Sequence, residues 1–478
     1  MERVLPKTID YTDVLPLAVE SKSRRRTFFP TNGQQFTDNT NNIVRIDISA
    51  DALLDTQHSY LRFTNTFAAN TVGIDFAGGH SFIRRLRVEQ SGTILEDIQN
   101  YNKLMGGIVL PCQCGHDYLK ERSITEGVCG PGGSNAGTVA NFQASAPLTV
   151  TAVGAAGGVL GQAAGRMAGN VSNNILSQIA AGGAYDFCIP LTSGLFNNEK
   201  LIPLMLMSAP LTIEIELAPH VQAVTAGGAG TYTWSNVRYI ANLVEVGQDV
   251  AQQLRMVQEM SGGVLTLAGQ TYRHFSGTTS GGAESVINIP ARVKSMKSLF
   301  FYSKGNAADN VANYDIGAGG TISLSEYQLK IGSVVYPPTP IQCGHRGAAA
   351  IGGSGGQRSE QLMELAKAWG NVGSTKGLGM LTSLTYGNTI QTEPVGAAVA
   401  AYPSSGGQYS FCPYGIDLEA FQRVAIESGV NTADRSLPIS LILSHAGAGL
   451  AAAQTIDAFV LADALFYINS DGSMSVSV

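Results

Sequence analysis

The heptapeptide "LTIEIEL", residues 211–217, alternates apolar and polar side chains along its whole length. Side chains of a β-strand point to opposite faces with a period of two. Leu211, Ile213, Ile215 and Leu217 therefore line one face, and Thr212, Glu214 and Glu216 the other. Such a strand belongs between a core and water. The same reading extends outward to "NIVRIDI" (42–48), "YLRFTNTF" (60–67), "FIRRLRVEQ" (82–90), "SLFFYSK" (298–304), "YQLKIGSVVY" (327–336) and "ISLILSH" (439–445). These short segments, bounded by Gly, Asn and Pro, predict an all-β sandwich or barrel.

Helical signals are few. In "RSEQLMELAKAW" (358–369), Leu362, Leu365, Ala366 and Trp369 share one helical face, with Ser359 as N-cap. In "IDLEAFQRVAIESG" (416–429), Asp417 would cap a helix stopping at Gly429. Both read as single helices inserted between strands. Long Gly/Ala-rich tracts separate the strands, the longest from about 130 to 184, with others at 317–321, 346–356 and 394–407. A structureless insertion of that length is unusual inside a domain, and a surface loop accommodates it best.

The chain also repeats an order. "LFNNEKLIPLMLMSAP" (195–210), read as partly helical, runs into "LTIEIEL" and then "VRYIANLVEVG" (237–247). In the second half "DLEAFQRVAIESG" leads to "PISLILSH" and then "DAFVLADALFYIN" (457–469). Two tandem β-domains follow from this pattern. The division is an arm over 1–30, a first domain over 31–250 carrying the 130–184 insertion, and a second over 251–478. The polar stretch "QDVAQQLRMVQEMSGG" (248–263) is the hinge.

Composition narrows the function. Of 478 residues 14% are charged, against about 25% in an ordinary soluble domain. With 56 glycines and 44% hydrophobic residues, the chain can fill a large core but has little charge to keep a free surface apart. That suits a protein covered by copies of itself. The net charge of −6 argues against whole-surface nucleic-acid binding. One basic run stands out, "SKSRRR" with Lys22, Arg24, Arg25 and Arg26, read either as a solvated arm or as an arm touching nucleic acid or anionic lipid. Residues 1–20 hold Glu2, Asp10, Asp13 and Glu20 and no apolar run, so no signal peptide is expected. No window of the sequence reaches ~18 apolar residues without polar breaks, so no transmembrane helix is expected either. The six cysteines are then read as free thiols in a reducing compartment, and the sequon at Asn170 as idle.

Catalytic signatures are missing from the sequence. The seven histidines include no pair at helical ligand spacing, and no nucleophile elbow or P-loop occurs. "GNVGSTKGLG" (370–379) has Thr375 where a phosphate cradle needs glycine before Lys376. "NSDGS" (469–473) is a turn rather than a calcium loop. The remaining candidate is "VLPCQCGHDYL" (109–119), where Cys112, Cys114 and His116, with Cys129 beyond, could supply four zinc ligands. Cys-x-Cys spacing on an extended strand seldom makes the turn that zinc knuckles use, so thiols at a strand edge are preferred. No enzyme, cofactor or small-molecule substrate is expected.

Several segments in collinear order carry a resemblance. They are "SRRRTFFPTNG" (23–33), "SYLRF" (59–63), "HSFIRRLRVEQSGTILEDIQNYNKL" (80–104), "YQLKIGSVVYPPTPI" (327–341), the helix "SEQLMELAKAW", "DLEAFQ" with "ESGVNT" (417–432), and "ALFYINSDGS" (464–473). Together they resemble the double jelly-roll major capsid proteins of tailless icosahedral DNA viruses, of the polinton-like virus and virophage type. The likeness spans nearly the whole chain, except the insertion at 130–184. It implies two tandem eight-stranded jelly rolls with a few short helices and long Gly/Ala-rich loops. It further implies homotrimers that tile an icosahedral shell around a DNA genome, a separate penton protein at the vertices, minor capsid partners, and localisation in the virion. The basic arm would then face the genome, an internal membrane or a neighbouring trimer. A glycan-binding β-sandwich of the attachment or fibre kind is the alternative, disfavoured by only two tryptophans, Trp234 and Trp369.

Overall fold

The computed structural model describes residues 21–68, 72–74, 77–114, 118, 122, 125–127, 183–198, 200–226, 231–304, 316, 324–343, 359–372, 379, 381, 386, 412–420, 428–445 and 453–478. Sixteen strands build two rolls. The first holds β1 (Ser21–Phe28), β2 (Ile43–Ile48), β3 (Leu53–Phe67), β4 (Ile83–Gln90), β5 (Thr93–Gln99), β6 (Ala184–Ile189), β7 (Leu211–Leu217) and β8 (Tyr232–Val246). The second holds β9 (Val264–Thr278), β10 (Glu284–Asn288), β11 (Met296–Lys304), β12 (Leu324–Ile331), β13 (Val334–Gln342), β14 (Tyr414–Asp417), β15 (Ile439–His445) and β16 (Thr455–Asn469).

The first roll pairs its strands as β1-β8-β3-β6 and β2-β7-β4-β5. The second pairs them as β9-β16-β11-β14 and β10-β15-β12-β13. Adding eight to each strand number converts one roll into the other. This is the order of two face-to-face four-stranded sheets in a jelly roll, so the chain is a double jelly roll. Short extra strands extend the sheets: Gln35–Thr37 on β8, Ile202–Pro203 on β3 and Met474–Ser477 on β16.

The period-two pattern sets the registers. In β7, Leu211, Ile213, Ile215 and Leu217 are all buried, and the residues between them are half-exposed. Ile213 lies opposite Ile46 and Val88, and Ile215 opposite Val44 and Leu86. Each such aliphatic side chain contributes roughly 1.5–3 kcal/mol by leaving water. On the outer face Arg45 pairs with Glu214 at 2.7 Å and Arg87 with Glu89 at 3.0 Å. Slipping β7 by one residue would exchange the two faces, so the register is fixed. The β12–β13 turn uses Gly332 at φ +61, where a side chain would be strained.

Four expectations need correction. Lys22, Arg24, Arg25 and Arg26 do not lie on a free arm: Ser21–Phe28 pairs residue for residue with Val246–Tyr239, so the first roll begins inside the stretch assigned to the arm. Among the described residues of 195–210 the one helical element is the 3-10 turn Leu204–Leu206, because Pro203 interrupts the run. Asp417 ends β14 and does not cap a helix, its carboxylate accepting the Glu419 N–H at 3.1 Å; residues 421–427 lie outside the described residues. Cys112 is not on a strand edge, since Tyr101–Leu104, Met105–Val109 and Leu110–Gln113 run as one helix with a π-helical middle. Between the rolls stands a linker helix, Gln248–Met260, with Gln258 its buried residue.

Candidate functional site

Strand β16, "TIDAFVLADALFYIN", is buried along almost its whole length on both faces. Ile456, Ala458, Val460 and Ala462 pack into the second roll. Phe459, Leu461, Ala464, Phe466 and Ile468 join an apolar cluster that includes the first roll's Leu95, Leu104 and Ile108. The second roll's β9-β16-β11-β14 sheet is thus a middle layer, with its own partner sheet on one side and the first roll on the other. Strands buried on both faces lose alternation and read as continuous apolar runs, as β16 does.

Polar groups fix how the first roll sits on that sheet. Glu96 of β5 is buried, and its carboxylate accepts the Gly194 N–H at 2.9 Å, the Leu195 N–H at 3.3 Å and the Thr271 hydroxyl of β9 at 2.7 Å. Burial raises the pKa of Glu96, against the pull of those hydrogen bonds. Beside it, Asp457 of β16 holds Lys103 at 2.9 Å and His274 at 2.7 Å, and Asn100 meets the same imidazole at 3.1 Å. Burial pushes the Asp457 carboxyl up, but the His274 hydrogen bond and the Lys103 ammonium outweigh it and hold it low. At the end of β4, Gln90 donates to Gly472 O at 3.1 Å and accepts the Met474 N–H at 2.6 Å.

The backbones also meet directly. A Cβ on Gly194 would stand 2.5 Å from the Gln270 carbonyl oxygen, and one on Gly269 would collide with Gly194. A Cβ on Gly107 would lie 2.7 Å from the Tyr302 ring. The helix following β5 can lie flat on the second roll only because glycine stands at that contact.

The corresponding face of the first roll, the outer side of β1-β8-β3-β6, differs in character. It presents Arg25, Tyr60, Arg62, Thr64, Asp186, Cys188, Arg238 and Asn242. Arg62 pairs with Asp186 at 2.7 Å and Arg25 donates to the Tyr60 hydroxyl at 3.4 Å. Asp186 is held below the usual carboxylate range by the Thr64 hydroxyl and Arg62. Elsewhere on the basic strand, Arg24 pairs with Glu245 at 2.9 Å and Arg26 lies over the Phe28 ring, while Lys22 is exposed.

The proposed zinc ligands do not form a described group. Cys112 is buried and its thiol pushed up by burial; Cys114 is pushed up to about 12 by burial and by Glu126. His116 and Cys129 lie outside the described residues, as does most of the 130–184 insertion. Among the described residues no group of three or more His, Cys, Asp or Glu could hold a metal. Both tryptophans serve packing: Trp234 is buried against Phe63, and Trp369 stacks on Phe300 at 4.3 Å. Glu96, Lys103, His274 and Asp457 were not singled out from the sequence. Two acids inside the otherwise apolar run of β16, Asp457 and Asp463, were the available signal.

No family model and no curated protein matches the chain in sequence. Solved structures do match it in fold. The Faustovirus major capsid protein is 8% identical with a TM-score of 0.57, over 95% of this chain and 92% of that one. A chain of the Sputnik virophage structure is 10% identical with a TM-score of 0.52, over 99% and 92%. The mavirus major capsid protein is 11% identical with a TM-score of 0.51, over 100% and 96%. At such identities the likeness is one of fold, and it covers both rolls.

Proposed function

We propose that this chain is a viral major capsid protein, a structural subunit of the virion shell. The observation that carries this is the joining of two jelly rolls of identical strand order into one block, over nearly the full length of three chains from viral particles. Two equivalent rolls in one chain let three copies make a pseudo-hexagonal trimer, and flat six-sided units tile a surface. The fixed junction around Glu96 and Asp457 suits this role, because a tile must hold its shape when neighbours press on it. Low charge and long Gly/Ala loops suit a surface meant for contact with further copies. In this reading trimers tile an icosahedral shell around a DNA genome, with a separate penton protein at the vertices and minor capsid proteins between trimers. The ends of the rolls would meet genome or an internal membrane on one side. No cofactor takes part.

Size-exclusion chromatography with light scattering, followed by negative-stain imaging, tests the reading. A stable trimer, or shell-like particles at higher concentration, is the expected result. A chain that stays monomeric at all concentrations and salt strengths, and binds oligosaccharide, would overturn it in favour of an attachment protein.

A further inference from the structure

A lysine seldom enters a protein interior unless a carboxylate meets it there. Lys297 of β11 does enter, and two carboxylates meet it. It is the extra residue of a bulge: Met296 lies opposite Ala462 of β16 and Ser298 opposite Leu461, so the register skips Lys297. A bulge turns a side chain out of the regular alternation of its strand. The buried Lys297 ammonium stands 2.9 Å from Glu419, just past β14, and 3.6 Å from Asp463 of β16. Strand β11 lies between β16 and β14 in its sheet, so each neighbour brings one acid to the same nitrogen.

The two acids are held in place by neighbouring hydroxyls. The Ser295 hydroxyl donates to Asp463 Oδ2 at 2.7 Å and accepts the Gly429 N–H at 3.0 Å, which leaves Asp463 Oδ1 toward the lysine. The Ser428 hydroxyl donates at 2.8 Å to Glu419 Oε1, the oxygen that also meets Lys297. Gly429 lets the backbone close over the group, because a Cβ there would collide with the Met296 carbonyl oxygen and the Lys297 nitrogen. Lys103 offers the contrast on the same strand β16. It meets one acid, Asp457, which also serves His274. There two basic groups share one carboxylate; here two carboxylates share one lysine. A single acid suffices for an ion pair, and burying a second negative charge beside it is unfavourable. One acid placed to take a proton and another placed to take the nitrogen make a reacting group.

We propose that Lys297 and Asp463 condense into an amide bond across β11 and β16, with Glu419 moving the protons. Glu419 accepts a proton from the Lys297 ammonium, which frees the lone pair on Nζ. Nζ then attacks the Asp463 carboxyl carbon and gives up its second proton. One Asp463 oxygen receives both protons by way of Glu419 and leaves as water. Glu419 ends ionised, as it began. An ammonium and a carboxylate become one amide and one water, so the step needs no oxidant, nucleotide or other co-reactant. Folding already holds the partners side by side, which replaces an encounter in solution by a reaction within one site. The product also removes a buried pair of charges. The bond closes the chain from Lys297 to Asp463 into a covalent ring, and it stands whether or not the chain builds a shell.

The intact mass of the denatured wild-type chain tests it. The expected value is one water below the mass of the sequence, and a protease digest should contain one branched peptide joining Lys297 to Asp463. Lys297→Arg and Asp463→Ala are each expected to keep the full mass. Glu419→Gln should slow the bond about a hundredfold or more, as loss of a general base does, followed as mass against time after purification. Thermal melts check that each variant is folded. A wild-type chain that keeps its full mass through long incubation in the folded state overturns the proposal. So does a missing water that maps to other residues, whether to a Lys297–Glu419 bridge or to a succinimide at Asp471-Gly472. A folded Glu419→Gln chain that bonds at the wild-type rate overturns the role given to Glu419. If a variant fails to fold, the wild-type mass and the branched peptide decide alone.

Discussion

Glu96 and Asp457 sit within the same junction and respond to burial in opposite ways. Glu96 has its pKa raised by burial, so its contribution to stability is fully present below its ordinary value of 4.5 and is lost as pH rises through the higher folded value. Asp457 is held low once its partners have outweighed burial, so its contribution is present above its ordinary 3.8 and is lost as pH falls through the folded value. Against Glu96→Gln, the wild-type melting temperature should therefore lose ground with rising pH; against Asp457→Asn it should lose ground on acidification. Melts from pH 3 to 8 would check both, and a pair of parallel curves would contradict them. Glu96→Ala strands the Gly194 and Leu195 N–H groups and the Thr271 hydroxyl without their acceptor, at a cost of roughly 2–4 kcal/mol in a denaturant titration. None of these roles was legible in the sequence, because a carboxylate's partners lie on another strand and often in the other roll.

At the scale of elements, legibility followed periodicity. "LTIEIEL" and "ISLILSH" gave their strands with the observed bounds, Leu211–Leu217 and Ile439–His445, since each has one face in a core and one toward water. Ser21–Phe28 escaped because its first six residues are exposed, leaving no apolar alternation to read. The helix after β5 escaped for the opposite reason. Tyr101, Leu104, Met105, Ile108, Val109 and Leu110 are buried around its circumference, and Gly106, Gly107 and Pro111 look like breakers. In β7, Ile215→Ala should cost about 2–5 kcal/mol in a denaturant titration, the usual range for an aliphatic cavity in a packed core. Deleting the chain through Phe28 removes the whole pairing of β1 with β8. The melting temperature should fall sharply, whereas an arm lost from a complete roll would leave it unchanged.

At the scale of the whole molecule, one apolar cluster runs from Phe28 in the first roll to Met474 at the end of the second. The rolls should therefore unfold together. Calorimetry is expected to give a single transition whose van't Hoff and calorimetric enthalpies agree. Gly269→Val, which forces a side chain into the Gly194 backbone, should split it into two. Tandem organisation was readable from the repeated order of segments, but this fusion was not: the two faces of a strand look alike in sequence when both are buried. The unlike outer faces of the two homologous sheets were equally hidden, since only the registers place Arg62 across from Arg238.

The linker helix has a practical consequence. Gln248–Met260 buries little of itself, and the Gln258 side chain donates to Ile468 O at 3.0 Å as its one buried anchor. Side chains of the rolls, and not this covalent bridge, hold the halves in register. A protease site engineered into the helix should yield two fragments that still migrate as one particle. Co-expressed separately, the halves should find each other, making the chain a candidate split reporter and opening its middle to inserted cargo.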